Sequence, residues 1–224
     1  MRLNKFISQS GYCSRRRADR LIIEGAVLVN GVSIRVLGST VDPIKDVVKV
    51  EGNRIRSILS KSYIAFYKPR GLVSTMTEGD GTLAKVASEM NVPGLFHVGR
   101  LDQESEGLIF LTNDGEWANR VSHPRYEMRK IYEVTLDREI GDNHCEQLLQ
   151  GVLLDDGLFK ADSARRMGRG KVALEIHDGR NRIIRRVFAE LNYEVLQLKR
   201  VAIGGISLGR MRPGNWKEIN PLKV

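Results

Sequence analysis

The chain has 224 residues, enough for one large domain or two small ones, and 42 % of them are hydrophobic. No apolar run approaches the roughly 20 residues of a membrane span. The first residues lack the apolar stretch of a signal peptide, so we expect a cytoplasmic protein that does not enter a membrane. Cys13 and Cys145 are the only cysteines; they show no paired metal-ligand spacing, and we expect no disulfide between them.

The net charge of +9 is distributed unevenly along the chain. Residues 1–61 hold 12 lysines and arginines against 5 acidic residues, a net charge of +7. Residues 62–159 hold 9 against 16, a net −7, and residues 160–224 hold 15 against 6, a net +9. Two basic ends around an acidic middle favour nucleic acid as the partner, and a merely solvated basic surface is the alternative.

The first 60 residues have the pattern of a separate module. Apolar residues between positions 3 and 7 follow helical spacing. Ser14 is placed to cap a second helix from Arg15 to Glu24, which Gly25 would end. The pair Asn30-Gly31 between two valine-rich runs predicts a hairpin, and residues 47–50 predict a further strand. Residues 53–62 are polar and basic without periodicity, which predicts a linker.

Two short helices, a small sheet and arginines on the second helix resemble the S4 RNA-binding domain. The resemblance rests on residues 2–7 and on Ser14-Arg15-Arg16 with Ala18-Asp19, and it covers about residues 1–48. It implies that the basic residues of this module contact RNA, mostly through phosphates. These residues are Arg2, Lys5, Arg15, Arg16, Arg17 and Arg20.

Beyond the linker, the chain mixes strands and helices. We predict strands over residues 63–67, 95–98, 108–112, 131–136, 172–176 and 195–201, and helices over residues 82–90, 117–121, 142–150 and 181–191. Strands outnumber helices and the connections are short, which favours an α+β domain with a mostly antiparallel, mixed sheet and flanking helices. We therefore predict an S4-like module with its linker over residues 1–60 and a catalytic domain over residues 61–224.

Several common chemistries have no matching pattern here. The four histidines show no zinc-binding spacing, and the phosphate-binding loop and the nucleophile elbow of hydrolases are both missing. Asp102, Glu104 and Glu106 alternate and could converge on a cation. Hard cations need five or six oxygen ligands, however, and no further carboxylates cluster nearby. We therefore predict no metal site.

A carboxylate in a short loop is the strongest chemical signal. Asp102 lies between the predicted strands 95–98 and 108–112, which would hold it rigidly yet leave it accessible. On its own it could equally cap a turn or pair with Arg100. The longer segment from Gly99 to Ile109, however, resembles the catalytic signature of the pseudouridine synthases.

Four more blocks resemble motifs of that family, in family order, across roughly residues 63–217. They are Lys68–Thr75, Lys130–Val134, Gly179–Arg186 and Val195–Arg200. The resemblance is to the branch that joins an S4 module to modification of ribosomal RNA. One departure is Ile183, which stands where the family usually has Gln.

The resemblance assigns a role to each matching residue. Asp102 is the catalytic carboxylate, Arg185 is the basic partner that keeps it ionised, and Tyr132 stacks on the uracil and assists proton transfer. Leu198 lines the pocket. Arg100 helps to fill the space left by the flipped nucleotide. Three further arginines are expected to contact phosphates: Arg180, Arg182 and Arg186.

The expected activity is isomerisation of uridine to pseudouridine in ribosomal RNA, with a lean towards the large subunit. No cofactor is expected, because no oxidation state changes and no phosphate is transferred. The expected partner is ribosomal RNA or a pre-ribosomal particle, and the expected oligomeric state is a monomer. A non-catalytic RNA-binding or ribosome-assembly factor and a tRNA-modifying synthase are the alternatives.

Overall fold

A computed structural model describes residues 1–56 and 60–224. It shows a small N-terminal module followed by a larger domain that carries a mixed sheet with helices against it, so the predicted α+β class is confirmed. The module contains α1 (Leu3–Gln9), α2 (Arg15–Glu24), β1 (Val27–Val29), β2 (Val32–Ser33), β3 (Val48–Val50) and β4 (Asn53–Ile55).

Local signals in the sequence set the ends of α2. The Ser14 hydroxyl accepts a hydrogen bond from the Arg17 amide at 3.3 Å and so caps the first turn. Gly25 ends the helix in the left-handed region at φ 80°. Phe6 of α1 and Leu21 of α2 are buried in the same apolar cluster, which holds the helices against the sheet β2-β1-β3-β4.

The predicted linker begins too early. Asn53–Ile55 form β4, which pairs with β3 in antiparallel register. Two of its three side chains are exposed, so this edge strand lacks the apolar alternation by which strands are recognised in a sequence. Residues 57–59 of the predicted linker lie outside the described residues.

The larger domain begins at Tyr63. Its helices are α3 (Leu83–Glu89), α4 (Gly115–Ser122), α5 (Asp142–Gln150) and α6 (Ile183–Glu190). Its strands are β5 (Tyr63–Lys68), β6 (Phe96–Val98), β7 (Glu106–Thr112), β8 (Lys130–Leu136), β9 (Val152–Leu154), β10 (Gly157–Phe159), β11 (Ser163–Gly168), β12 (Lys171–Ile176), β13 (Val195–Ile203), β14 (Ile206–Ser207) and β15 (Trp216–Glu218).

One large sheet organises this domain. Its strand order is β11-β12-β8-β13-β7-β5-β15, with β14 added to β13 and β6 added to β7. The pair β13–β7 is parallel and the other described pairs of this sheet are antiparallel. This matches the predicted mixed, mostly antiparallel sheet. Strands β9 and β10 form a separate hairpin.

Helices cover the two halves of the sheet differently. Helices α5 and α6 bury one face of β8, β12 and β13. In the other half, Leu108 and Phe110 of β7 pack with α4, whereas Ile109 and Leu111 pack with α3 on the opposite face. Every residue of β7 is therefore buried, as expected of a strand covered on both faces. This rigid central strand begins immediately after the Asp102 loop.

Cys13 is half-buried and Cys145 is buried, and both are free thiols, as predicted. Within residues 1–56 and 60–224, no helix combines the length and apolar character that crossing a membrane requires.

Candidate active site

A cavity of about 260 Å³ opens where the two halves of the large sheet meet. The loop 99–105 forms one wall, β8 and β13 form the floor, and the turn 178–182 with the start of α6 forms the opposite wall. The cavity wall contains Asp102, Tyr132 and Leu198, three residues that the sequence assigned to one site. They come from segments about 30 and 66 residues apart, and strand pairing brings them together.

A close approach of two backbones sets the position of the Asp102 loop. Gly107 lies beside Arg200 in the parallel pair of β7 and β13. A Cβ at Gly107 would lie 2.2 Å from the Arg200 carbonyl oxygen, and the glycine also has a positive φ of 111°. No side chain fits there, so the glycine lets the loop leave the sheet next to β13.

A buried lysine fixes the same loop from below. Lys68, at the end of β5, is fully buried, and its Nζ donates to the carbonyl oxygens of Ser105 at 2.7 Å, Pro69 at 3.0 Å and Gln103 at 3.4 Å. Burial lowers the pKa of Lys68 to about 8, although the nearby Asp102 opposes the shift. The lysine therefore ties Gln103 and Ser105, which follow Asp102 in the loop, to the central sheet.

A second buried group supports the loop where it joins β7. Glu106 accepts hydrogen bonds from the Tyr67 hydroxyl at 2.7 Å and from the Gln197 amide at 2.5 Å. Burial alone would raise its pKa, but these hydrogen bonds lower it below the usual value. Glu106 is thus part of the scaffold rather than of a cation site. Among the described residues, no group of three or more His, Cys, Asp and Glu side chains is placed to hold a metal.

The arginine nearest to Asp102 is Arg182, not Arg185. Asp102 is partly exposed, and one of its oxygens lies 3.9 Å from Nη1 of Arg182. Nη2 of Arg182 lies 3.8 Å from Glu104. Arg182 was expected to contact phosphates only. It precedes α6 in the left-handed conformation, at φ 47°, and this turn directs its side chain towards the Asp102 loop.

Arg185 forms no ion pair with Asp102 in the structure. Its Nη1 donates to the Val195 carbonyl oxygen at 2.8 Å, and its Nη2 lies 3.9 Å from Glu104. The hydrogen bond to β13 holds the guanidinium to one side of Asp102. Arg185 is therefore near the Asp102 loop without pairing with Asp102 here, and its role as the basic partner stays a prediction.

Tyr132 and Leu198 lie on the floor of the cavity. Tyr132 is buried, and its hydroxyl accepts a hydrogen bond from Nη1 of Arg200 at 3.4 Å. Leu198 lies opposite Val134 in the register of β8 and β13. Ile183, in the place of the family Gln, is buried in the apolar cluster of this half of the domain and also lines the cavity. An apolar contact thus replaces a polar one.

Sequence reasoning missed two cations of the cavity wall. Arg200 is buried, and its Nε donates to the Leu108 carbonyl oxygen at 2.7 Å while Nη1 lies 3.4 Å from that of Arg100. It therefore links the Asp102 loop to Tyr132. Lys130 also lines the cavity. Strand alternation was the available signal, because Arg200 is two residues after Leu198 and Lys130 is two residues before Tyr132.

Two of the predicted phosphate ligands are occupied by carboxylates. Arg180 pairs with Asp178 at 2.7 Å and with Asp156 at 2.8 Å. Arg186 pairs with Asp156 at 2.7 Å and with Asp155. These ion pairs attach the tip of the β9–β10 hairpin to the turn that carries Arg182. Both arginines therefore support the site through these ion pairs, and the phosphate contacts expected of them stay a prediction.

The remaining basic residues lie mostly on the surface. Arg100 is exposed at the mouth of the cavity, and Arg2, Arg15, Arg16, Arg17 and Arg20 are exposed on the N-terminal module. Lys5 differs, because its Nζ lies 2.8 Å from a Glu116 carboxylate oxygen of α4. This ion pair joins the module to the larger domain, and the side chain of Lys5 remains partly exposed.

The arrangement suits chemistry on a single nucleotide base. The cavity is large enough for a base but not for a folded RNA segment, so a nucleotide must leave its stack to enter. Asp102 would reach the sugar, while Tyr132 and Leu198 offer flat and apolar contacts to a base. The protein thus combines an accessible carboxylate with an aromatic base-binding surface.

Comparison with known proteins identifies the family of both parts of the chain. A family model described as RNA pseudouridylate synthase matches residues 62–190, and the S4 domain model matches residues 1–56. An uncharacterized RNA pseudouridine synthase of Aquifex aeolicus is 39 % identical, over 98 % of this chain and 90 % of its own length. The ribosomal large subunit pseudouridine synthase B of Bacillus subtilis is 34 % identical, over 100 % of this chain and 94 % of its own.

Two further similarities cover most of the chain. The dual-specificity RNA pseudouridine synthase RluF of Escherichia coli is 38 % identical, over 98 % of this chain and 75 % of its own length. A crystal structure of a pseudouridylate synthase superposes with a TM-score of 0.70 at 27 % identity, covering 100 % of this chain and 99 % of the other. With its S4 domain and its Asp102 cavity, the chain belongs to the RNA pseudouridine synthase family.

Proposed function

We propose that this protein isomerises specific uridines of ribosomal RNA to pseudouridine, and that large-subunit RNA is its first candidate substrate. The observation that best supports the activity is the cavity that brings Asp102, Tyr132 and Leu198 together. The choice of RNA is supported by relatives such as the ribosomal large subunit pseudouridine synthase B of Bacillus subtilis. The S4 module supports binding to a structured RNA.

Each residue of the cavity has its own role in the proposed reaction. The target uridine leaves its stack, and its uracil lies against Tyr132 and Leu198. Asp102 acts at the sugar while the bond between C1′ and N1 breaks, either by bonding to C1′ or by taking a proton from C2′. The detached uracil turns within the cavity and rejoins C1′ through C5. Arg182 and Lys68 supply positive charge near Asp102 throughout.

The setting of the reaction is also a proposal. We propose that the protein works in the cytoplasm as a monomer, on free ribosomal RNA or on an assembling particle, and that no cofactor takes part. The chemistry supports the last point, because an isomerisation consumes no oxidant and transfers no phosphate. The oligomeric state is measured by light scattering in the presence and absence of RNA.

Carbodiimide labelling followed by primer extension tests the substrate directly. Unmodified transcripts of large- and small-subunit ribosomal RNA are incubated with the purified protein, alongside a mixture of unmodified tRNA transcripts. A new stop in large-subunit RNA alone supports the proposal. A stop in tRNA alone overturns it in favour of a tRNA synthase.

Immature ribosomal particles serve as the second substrate. If free transcripts give no stop, the same mapping is repeated on particles from cells that lack the protein. A stop there supports the proposal and identifies the particle as the substrate. No stop on any RNA or particle, despite tight binding, would establish a binding factor instead of an enzyme.

A further inference from the structure

Lys130 lies in the wall of the cavity that holds Asp102 and Tyr132, and it has no role in the reaction as proposed so far. It begins β8, two residues before Tyr132, so both side chains lie on the same face of the strand. Its Nζ donates a single hydrogen bond within the described residues, to the Met128 carbonyl oxygen at 2.9 Å. A lysine Nζ can serve more partners than this one.

The surroundings of Lys130 make it able to exchange a proton near neutral pH. Burial and the guanidinium of Arg200 on β13 lower the pKa of Lys130 to about 8. Two carboxylates oppose the shift: Asp178 in the turn after β12 and Asp162 before β11. A group that is partly neutral near its working pH is suited to act as both a base and an acid.

The isomerisation needs such a group. When the bond between C1′ and N1 breaks, its electron pair leaves with the uracil, and the negative charge spreads over the ring. The turned base then forms a bond from C5 to C1′, and the bond between C1′ and Asp102 breaks to release the carboxylate; in the other route, Asp102 returns its proton to C2′ as the new bond forms. At that point C5 still holds its hydrogen. That proton must leave C5, and N1 must gain one.

We propose that the Lys130 amine removes the proton from C5 of the turned uracil and, as the ammonium ion, returns a proton to N1. The inference rests on the proposed isomerase activity and adds a second catalytic residue to Asp102. Atoms and charge balance, because the proton lost by C5 is the one gained at N1 and Lys130 ends as the neutral amine. Tyr132, on the same strand face, is the competing candidate.

An isotope at C5 separates proton removal from a structural role. RNA with uridine or 5-deuterouridine at the target is converted in single turnovers by wild type, Lys130→Met, Lys130→Arg and Tyr132→Phe. Lys130→Arg keeps the charge but has no readily formed neutral state. We expect both Lys130 variants to lose about 10²–10⁴-fold in rate. Their residual rate should show a primary isotope effect that is small or missing in wild type.

Three results would overturn the proposal. They are wild-type rates in the Lys130 variants, a rate loss without an isotope effect, and an isotope effect confined to Tyr132→Phe. Lys171→Met is the matched control, because Lys171 is an exposed lysine on the adjacent β12, and it should keep the wild-type rate. If wild type itself makes no pseudouridine, the proposed function fails and the role of Lys130 fails with it.

The pH profile gives an independent readout. In wild type the isotope effect should grow as the pH falls below about 8, because charged Lys130 cannot accept the C5 proton and its removal then limits the rate; this pH dependence should be missing in Lys130→Arg. Neutralising the facing carboxylate in Asp178→Asn should move the wild-type profile to lower pH, since Asp178 favours the charged amine. A profile unchanged by both substitutions contradicts the proposal.

Discussion

Asp102 owes its position to residues that hold its loop against the sheet. Lys68 binds two carbonyl oxygens just after it in the loop, Gly107 lets the loop approach β13, and Arg200 ties the loop to Tyr132. The sequence identified Asp102, Tyr132 and Leu198 because they stand in recognisable blocks. The sequence did not reveal the supporting contacts, because lysines and arginines are mostly exposed and a buried one cannot be recognised until its strand partners are known.

Arg182 provides a test at the residue scale. It is the closest arginine to Asp102, at 3.9 Å, whereas Arg185 is held by the Val195 carbonyl oxygen. We expect Arg182→Gln to lower the single-turnover rate at least about tenfold, the factor that 1.4 kcal/mol of lost transition-state stabilisation gives. Saturating RNA removes any effect on binding. A rate loss in Arg185→Gln alone would show that the arginines rearrange when RNA binds.

Lys68 supports the Asp102 loop and also contributes to the stability of the folded protein. In Lys68→Met three carbonyl oxygens lose a buried donor, and each buried group left unpaired costs about 1–3 kcal/mol. The folded pKa of about 8 lies below the ordinary 10.5, so between these values the unfolded chain binds more protons. Wild-type stability therefore rises with pH over this window. Chemical denaturation at pH 7, 8, 9 and 10 should show that the free energy of unfolding of the variant falls further below that of wild type as the pH rises. A constant difference would contradict the lowered pKa of Lys68.

At the scale of elements, the helices and central strands follow from the sequence. Helices α2 and α5 have the predicted bounds, because their caps and apolar faces lie within one segment. The unpredicted strands lie mostly at edges. Strand β11 is mostly exposed, β15 is entirely exposed, and β9–β10 place two leucines on the surface. Such strands depend on neighbours distant in sequence, so periodicity does not reveal them.

The β9–β10 hairpin gives the prediction at this scale. Its tip carries Asp156, which pairs with Arg180 and Arg186 and so anchors the turn before α6. We expect Asp156→Asn to speed amide hydrogen exchange in residues 178–182 and to lower the rate of isomerisation. Exchange in β7 should stay unchanged as the internal control. Unchanged exchange in the turn would show that the ion pairs do not hold it.

At the scale of the molecule, the positions of the charges in the fold are more informative than the net charge. The acidic middle segment supplies partners for basic residues elsewhere, as Glu116 does for Lys5 and Asp156 does for Arg180. A count of charges along the chain cannot show these pairs, since their members are 111 and 24 residues apart. The arginines of α2 remain exposed, and they are among the residues available to a polyanion.

The α2 arginines predict the salt dependence of RNA binding. Each phosphate contact removed lowers the slope of log K against log salt by about 0.7–0.9. We expect the triple variant with Gln at Arg15, Arg16 and Arg17 to reduce this slope by roughly 2–3 while leaving the fold intact. Filter binding from 50 to 300 mM salt measures it. An unchanged slope would place the RNA on another surface.

We expect Asp102 to carry out the isomerisation, and its substitution to leave an intact RNA-binding protein. The most direct measurement is nucleoside chromatography of a substrate RNA after treatment with wild type or Asp102→Asn, with RNA affinity and thermal unfolding recorded for both. We predict pseudouridine with wild type and none with Asp102→Asn, at nearly equal affinity and stability. Equal pseudouridine from both proteins would contradict the account.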